Sequence, residues 1–341
     1  MMITNKKVSF ENGDQGLKVH YNLKTCTNCV LPETFPDITF DEEGVCNYCH
    51  DFNGIPNWNE VNLGEFIEKK KTSNLKYDCL VLYSGGKDSS FALKLLKEKY
   101  KLNILAMTLD NGYLSNVTSQ NMKTVLDNLN IDHHIIKYPK SIMNEIYRGS
   151  IQGEFDKTTY MYSTTACGSC IGLVFETGVD LAKKLEIPLM AGGWTPGQMT
   201  DSAVLKSDFI QMLIDKYEQK MALISPNAWN HLGKSRSRVE VTQNLVNPLY
   251  VSNYKEEEIV EELKKIGWKQ PKDTDSCSSN CRLNSFLLFD HIEKFQFHPY
   301  VYELAYHVRA GYMSKSEAME KMTNLNVTMD YINGISKELE V

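Results

Sequence analysis

Between a run of apolar residues, Cys79-Leu80-Val81-Leu82-Tyr83, and an amphipathic stretch that begins at Ser90 stand six residues, Ser84-Gly85-Gly86-Lys87-Asp88-Ser89. A short apolar run reads as a buried strand, and Phe91, Leu95 and Leu96 put one apolar side on a helix over Ser90 to Tyr100. A strand that turns through two glycines straight into a helix leaves the first N–H groups of that helix unpaired, and they and the helix dipole attract an anion. The glycines let the backbone approach a phosphate, Ser84 and Ser89 offer hydroxyls, Lys87 adds charge, and Asp88 offers a carboxylate to Mg²⁺. A bare Gly-Gly turn with no ligand is the plainer alternative.

The flanking pattern agrees with a nucleotide-binding fold. Ile104 to Leu109 reads as a second strand, Ser119 to Leu129 as a helix, and His134-Ile135-Ile136 as a third strand. A helix over Gly172 to Leu185 leads to Pro188-Leu189-Met190-Ala191 and then to Gly192-Gly193. Strands alternating with helices predict an α/β, doubly wound parallel sheet, with its ligand crevice at the carboxyl ends of the strands. Beyond Ser225 the chain reads as helical, with helices at Lys255 to Trp268, Tyr300 to Arg309 and Ser314 to Met322. Three sections follow: residues 1–75 as a metal-stapled module and linker, 76–225 as the nucleotide-binding domain, and 226–341 as a mainly helical region carrying Cys277 and Cys281.

Composition narrows the setting. The 341 residues, 42% apolar, suffice for a sizeable core with attachments. No run of about 18 apolar residues and no N-terminal signal pattern is present, so the expected compartment is the cytosol. A net charge of -6 argues against a broad surface for nucleic acid, although a local basic groove is compatible with it. Nine cysteines, eight of them in close pairs, point in a reducing compartment to metal ligation.

Ser84 to Ser89 does not have the spacing of the P-loop of ATPases and GTPases, a Gly, four residues and then Gly-Lys-Ser/Thr. SGGKDS after an apolar strand instead resembles the pyrophosphatase loop of the PP-loop, or N-type ATP pyrophosphatase, superfamily. The resemblance spans about Asp78 to Ser225 and implies a HUP-like sheet. It also implies cleavage of ATP between the α and β phosphates, transfer of AMP to a carbonyl-type oxygen, and displacement of AMP by nitrogen or sulfur. By the same resemblance, Leu109 and Asp110 lie near the adenosine and Gly192 and Gly193 near the phosphates. Many tRNA-thiolating relatives carry an acidic pair after the later strand; this chain reads Trp194-Thr195-Pro196-Gly197-Gln198, which leaves a catalytic acid or Mg²⁺ ligand unassigned there.

Cys26-Thr27-Asn28-Cys29 and Cys46-Asn47-Tyr48-Cys49 are two CxxC pairs 16 residues apart, the spacing of a structural, zinc-ribbon-like Zn²⁺ site. Such an ion can fold a module too small to hold itself by burial. An iron-sulfur site or a redox pair are the competing readings, and His50 reads as a bystander. CTNCVLPETFPDITFDEEGVCNYC also resembles the N-terminus of N-acetyl sugar amidotransferases of the surface-polysaccharide type, PP-loop enzymes that take ammonia from a glutaminase partner to form an amidine. Ala305 to Met322 is loosely similar to their C-terminus.

Cys167-Gly168-Ser169-Cys170 precedes the helix before Gly192-Gly193, and Asp275-Ser276-Cys277-Ser278-Ser279-Asn280-Cys281 follows Asn247-Pro248-Leu249. This order resembles the thiouridine and thiocytidine synthetases that carry a 4Fe-4S cluster on three cysteines. It implies Cys167, Cys170 and Cys277 as ligands, with Cys281 as the rival for the third place. A second zinc on all four thiols and a persulfide relay are the alternatives. Cys79 reads as an inert core residue. His133-His134 reads as surface and packing, Lys234 to Arg238 as a short basic cluster that grips phosphates or is simply solvated, and Trp194 as pocket lining or core.

The expected chemistry is thus an AMP-forming, ATP-dependent sulfur transfer with Asp88, Lys87 and Cys277 as catalytic residues. ATP, Mg²⁺, a 4Fe-4S cluster and Zn²⁺ are the expected cofactors. The acceptor, tRNA or a small molecule, stays open, as does a homodimer, and sulfide or another donor supplies the sulfur. Ammonia-dependent amidination of a sugar with a glutaminase partner is the second reading, and a non-catalytic nucleotide-binding regulator is the third.

Overall fold

A computed structural model describes residues 7–13, 16–55, 58–72, 74–199, 202–233, 240–252, 254–272, 274–275, 277 and 280–341. The basic cluster Lys234 to Arg238 lies outside the described residues, as do Ser276, Ser278 and Ser279.

Two strands, β1 (Val8–Gly13) and β2 (Gly16–Tyr21), form an antiparallel hairpin. The main sheet comprises β3 (Cys79–Leu82), β4 (Ile104–Asp110), β5 (Asp132–Lys137), β6 (Leu189–Ala191), β7 (Val204–Leu205) and β8 (Asn244–Val246), in the order β5-β4-β3-β6-β8-β7. All its pairings are parallel except that of β7 with β8. β3 is buried along its whole length because helices cover both faces of the sheet, which is why it reads as an unbroken apolar run. One face packs on Leu93, Leu96, Val125 and Leu263, and the other on Phe175, Val179, Ile210 and Ile214.

From β3 the chain winds outward to β4 and β5, then returns to place β6 on the other side of β3. That reversal opens a crevice at the carboxyl ends of β3 and β6. The helix expected over Ser90 to Tyr100 begins earlier, at Lys87–Lys94, and ends in a π-turn, Leu95–Lys99. The later helix also begins earlier, as Thr165–Lys184, so both cysteines of the 167–170 pair lie in its first turns. β8 lies beyond residue 225, so the sheet draws on the section the sequence reads as helical.

Both chain ends share one layer. Leu17 N donates to Val327 O (2.8 Å) and Leu325 N to Leu17 O (3.1 Å), and the hairpin packs with the helices Leu283–Phe295 and Met329–Leu339. The cysteine quartet of residues 26–49 packs on Val301, Leu304 and Met322 of the C-terminal helices and on Phe297 in the connection before them.

His291 and His307, in helices of this region, and His298, in the connection between them, are buried. Burial lowers His298 to about 3 and His307 to about 4, and burial with His298 and Lys294 nearby lowers His291. The unfolded chain takes up protons on these rings near pH 6.5 while the folded chain does not, so stability is full above that pH and falls below it. Unfolding free energy should fall by up to about 1.4 kcal/mol per pH unit per histidine from pH 6.5 towards pH 4. Urea melts across that range check this, and His298→Gln should make the slope shallower.

Candidate active site

At the carboxyl end of β3 the turn is fixed by its own hydroxyls. Ser84 Oγ lies 2.9 Å from Ser89 Oγ, Gly86 N donates to Ser84 Oγ (3.3 Å), and Ser89 Oγ donates to Gly86 O (3.2 Å). Gly85 sits at φ +75°, and a Cβ there would come within 2.7 Å of Met122 and 2.8 Å of Thr118, so only glycine fits. Trp268 Nε1 pins the turn by donating to Gly85 O (3.2 Å). Gly86 is the N-cap of the helix Lys87–Lys94 and supplies no side-chain cap, the arrangement that leaves first-turn N–H groups to an anion.

The loop's charged pair is held from the far end of the chain. Lys87 Nζ donates to Tyr254 Oη (2.9 Å), and Tyr254 Oη donates to Asp88 Oδ1 (2.9 Å). Lys87 Nζ also lies 3.2 Å from Glu256 Oε1 and 3.5 Å from Asp88 Oδ1, and Glu256 pairs with Lys321 at 2.9 Å. Burial alone would lower the Lys87 ammonium, but Asp88, Tyr254 and Glu256 together hold it well above the ordinary lysine value.

Gly193 closes the other wall of the crevice. A Cβ there would meet Asp88 O at 2.5 Å and Ser89 Cα at 2.7 Å, so the backbone after β6 lies directly on the loop. Gly192 is constrained by the ring of Trp194, which stacks on Phe175 with centroids 5.5 Å apart and so takes the packing role. Beside the loop, a cleft of about 480 Å³ is lined by Thr108, Asp110, Leu114, Met122 and His133. Met122 faces both Gly85 and this cleft, which joins the two spaces. Leu109 is buried, and Asp110 pairs with Lys137 (2.8 Å) and accepts from Gly112 N (2.9 Å). Burial raises the Asp110 carboxyl, but these two partners outweigh it and hold it below the usual range.

The second cysteine set assembles at the same edge of the sheet. Cys281 forms an antiparallel bridge with Leu114, just past the end of β4, and its Sγ accepts from Asn111 Nδ2 (3.3 Å). Cys281 acts electrostatically on both Cys167 and Cys170, and Tyr147 Oη donates to Cys170 Sγ (3.7 Å). Burial pushes the Cys170 thiol up to about 11 and raises Cys167 and Cys281 as well. The structure therefore brings Cys281 to the pair. Cys277, the sequence's choice for the third place, has its N–H on Asp275 Oδ1 (2.8 Å) and bears on Tyr300 and Tyr21. The bridge to Leu114 fixes the backbone at Cys281.

Away from the crevice, Cys26, Cys29, Cys46 and Cys49 place their sulfurs within 4.8 Å of one another, with Cys26–Cys49 and Cys29–Cys46 both at 3.7 Å. A tetrahedral ion with bonds of about 2.3 Å to thiolates sets its sulfurs about 3.8 Å apart, so the quartet fits one zinc. Burial would raise Cys26, but the N–H groups of Cys29, Cys46 and Asn28 bring it down to about 7, while hydrogen bonding to Cys46 and burial push Cys29 up. His50 points to Asp41 (2.8 Å) instead. Among the described residues no other cysteine group is drawn this tightly.

Residues 78–170, which include the loop, match the family model "Queuosine biosynthesis protein QueC", a PP-loop ATPase family. That segment is similar to this family over the loop and the strands around it. A protein of Methanocaldococcus jannaschii described as "Uncharacterized protein MJ1599" is 25% identical over 303 residues, 87% of this chain and 92% of that protein. Argininosuccinate synthase of Picrophilus torridus is 26% identical over 155 residues, 44% of this chain and 36% of that enzyme. Among solved structures, the U34-tRNA thiolase NcsA from Methanococcus maripaludis with its 4Fe-4S cluster covers 93% of this chain and 88% of its own, at 16% identity and a TM-score of 0.38.

The crevice beside the loop also holds an acid that the sequence does not reveal. Glu303, on the helix Val301–Arg309, accepts from the hydroxyl of Thr195, within the segment where the sequence shows no acidic pair. Burial, with Asp88 nearby, pushes its carboxyl up to about 7. A single glutamate in an amphipathic helix carries no signal of its place, and neither does Tyr254.

Proposed function

We propose that the protein is an AMP-forming sulfurtransferase. The acceptor's carbonyl oxygen attacks the α-phosphorus of ATP, pyrophosphate leaves, and a sulfur nucleophile then attacks the activated carbon and expels AMP. Ser84 to Ser89 hold the phosphates, with backbone N–H groups opposing the charge that builds on them and Asp88 ligating Mg²⁺. The cleft beside Asp110 receives the adenosine, and Gly193 shapes the phosphate side.

The observation that carries this reading is the meeting of Cys167, Cys170 and Cys281 at the edge of the sheet that bears the loop. Three thiolates suit a 4Fe-4S cluster better than a second structural zinc, which closes on four protein ligands. When bound to three thiolates, such a cluster has one iron free to hold sulfide. Asn111 and Tyr147 aim donors at two of the sulfurs, which stabilises them as thiolates. Cys277 is left outside this role.

Purification without oxygen tests the reading. The protein should be brown, with absorbance near about 400 nm from thiolate-bound iron, and should carry one zinc besides. Incubation with ATP, sulfide and unfractionated tRNA or small carbonyl acceptors should release pyrophosphate. Colourless protein that releases pyrophosphate with ammonium in place of sulfide would move the assignment to the sugar amidotransferases. Protein that binds ATP and never releases pyrophosphate would be a regulator.

The quartet is proposed to hold structural zinc. Cys46→Ser should remove that ion and lower the melting temperature by several degrees, because the C-terminal helices pack on the module. Calorimetry with zinc analysis checks it.

A further inference from the structure

The charged pair of the phosphate loop is wired to a part of the chain that no reading of the loop includes. Lys87 carries three N–H donors, and Tyr254, Glu256 and Asp88 all lie within 3.5 Å of its nitrogen. An ammonium can only donate and a carboxylate only accept, so the direction of the chain is fixed. Lys87 gives a hydrogen to Tyr254 Oη, and Tyr254 must turn its own hydrogen to Asp88 Oδ1. Tyr254 is buried, and burial with Asp88 beside it holds the phenol well above its ordinary value, so it keeps the proton this geometry needs. Glu256 is in turn fixed by Lys321 (2.9 Å), and Lys87 and Lys321 bring its carboxyl down to about 2 against the effect of burial.

We propose that Tyr254 and Glu256 are positioning residues for the phosphate loop: they hold Lys87 and Oδ1 of Asp88 so that the second Asp88 oxygen faces the divalent cation that arrives with ATP. In this arrangement Lys87 serves as a strut under the loop, and the backbone N–H groups carry the direct contact with phosphate. The proposal rests on the reading of the loop as an ATP site. It makes two residues of the C-terminal third part of the nucleotide site without touching the nucleotide.

The test is binding of the α,β-methylene analogue of ATP, followed by calorimetry at a series of Mg²⁺ concentrations, for the wild type, Tyr254→Phe and Glu256→Gln. Phenylalanine keeps the ring and removes only the hydroxyl, and thermal melts confirm that each variant is folded. Both variants should need roughly tenfold more Mg²⁺ for half-saturation, the effect of losing one hydrogen bond to a charged group. Their binding of the analogue without Mg²⁺ should stay within about twofold of the wild type, a difference too small to count as a lost hydrogen bond. Unchanged Mg²⁺ dependence would overturn the proposal. So would an equal loss with and without Mg²⁺, which marks a merely structural role. A wild type that fails to bind the analogue at all would instead remove the ATP reading, and the proposal with it.

Discussion

Cys281→Ala should strip the iron from protein purified without oxygen, whereas Cys277→Ala should leave most of it in place. The two thiols are four positions apart in a segment without helical or strand periodicity, and the sequence alone favours the first of them. We propose the second, Cys281, for the third place. Leu114 and Cys281 are bridged through their backbones, Ser115 N donates to Asn280 O (3.0 Å), and Arg282 N donates to Tyr113 O (2.9 Å). These contacts hold Cys281 against the end of β4, where Asn111 reaches its sulfur. A cluster held by two thiolates instead of three loses a strong bond and exposes a second iron to solvent, so iron and acid-labile sulfide should fall more than about tenfold. Binding of an ATP analogue should survive in the same variant, because Cys281 is held at Leu114 and Asn111. Iron retention in Cys281→Ala together with loss in Cys277→Ala would restore the first assignment.

Gly193→Val should weaken nucleotide binding severely without disturbing the thiols. The new Cβ would lie 2.5 Å from Asp88 O and 2.7 Å from both Asp88 C and Ser89 Cα, all backbone atoms. No rotamer relieves such a contact, so either the loop or the strand end must move. Overpacking of this kind costs about 1–3 kcal/mol, and here the movement falls on the groups that grip the phosphates. Affinity for the α,β-methylene analogue should drop by roughly a hundredfold, about 2.7 kcal/mol. Gly311→Ala is the control, since a Cβ there meets nothing within 4 Å and its cost is limited to the positive φ.

What could be read from the sequence had local causes. The loop announces itself because a buried strand is an unbroken apolar run and two glycines mark the turn after it. The cysteine quartet is legible because a CxxC pair brings two thiols to one ion by spacing alone. What escaped depends on distant partners. β7 and β8 are two and three residues long, too short for any alternation, and exist as strands because β6 offers β8 its edge. The hairpin β1–β2 alternates weakly and gains its cover from helices more than 260 residues away. Tyr254, Glu256 and Glu303 are single polar residues whose place at the loop is decided by how the C-terminal third folds back over the crevice.

That fold-back also joins the zinc-type module to the crevice. The helix Val301–Arg309 places Glu303 on Thr195, His307 on Pro196 O (3.0 Å) and Arg309 Nη1 on Cys29 Sγ (3.7 Å). One helix thus touches both the cysteine quartet and the crevice, so disorder in the module would loosen the crevice wall.

Nucleotide product analysis decides the chemistry most directly. Oxygen-free protein given ATP, Mg²⁺, sulfide and an acceptor should yield AMP and pyrophosphate in equal amounts, and far less of both with Gly193→Val. ADP and orthophosphate would mean that the γ-phosphate is the one attacked, and the loop would then have no role in adenylylation whatever metals the cysteines bind.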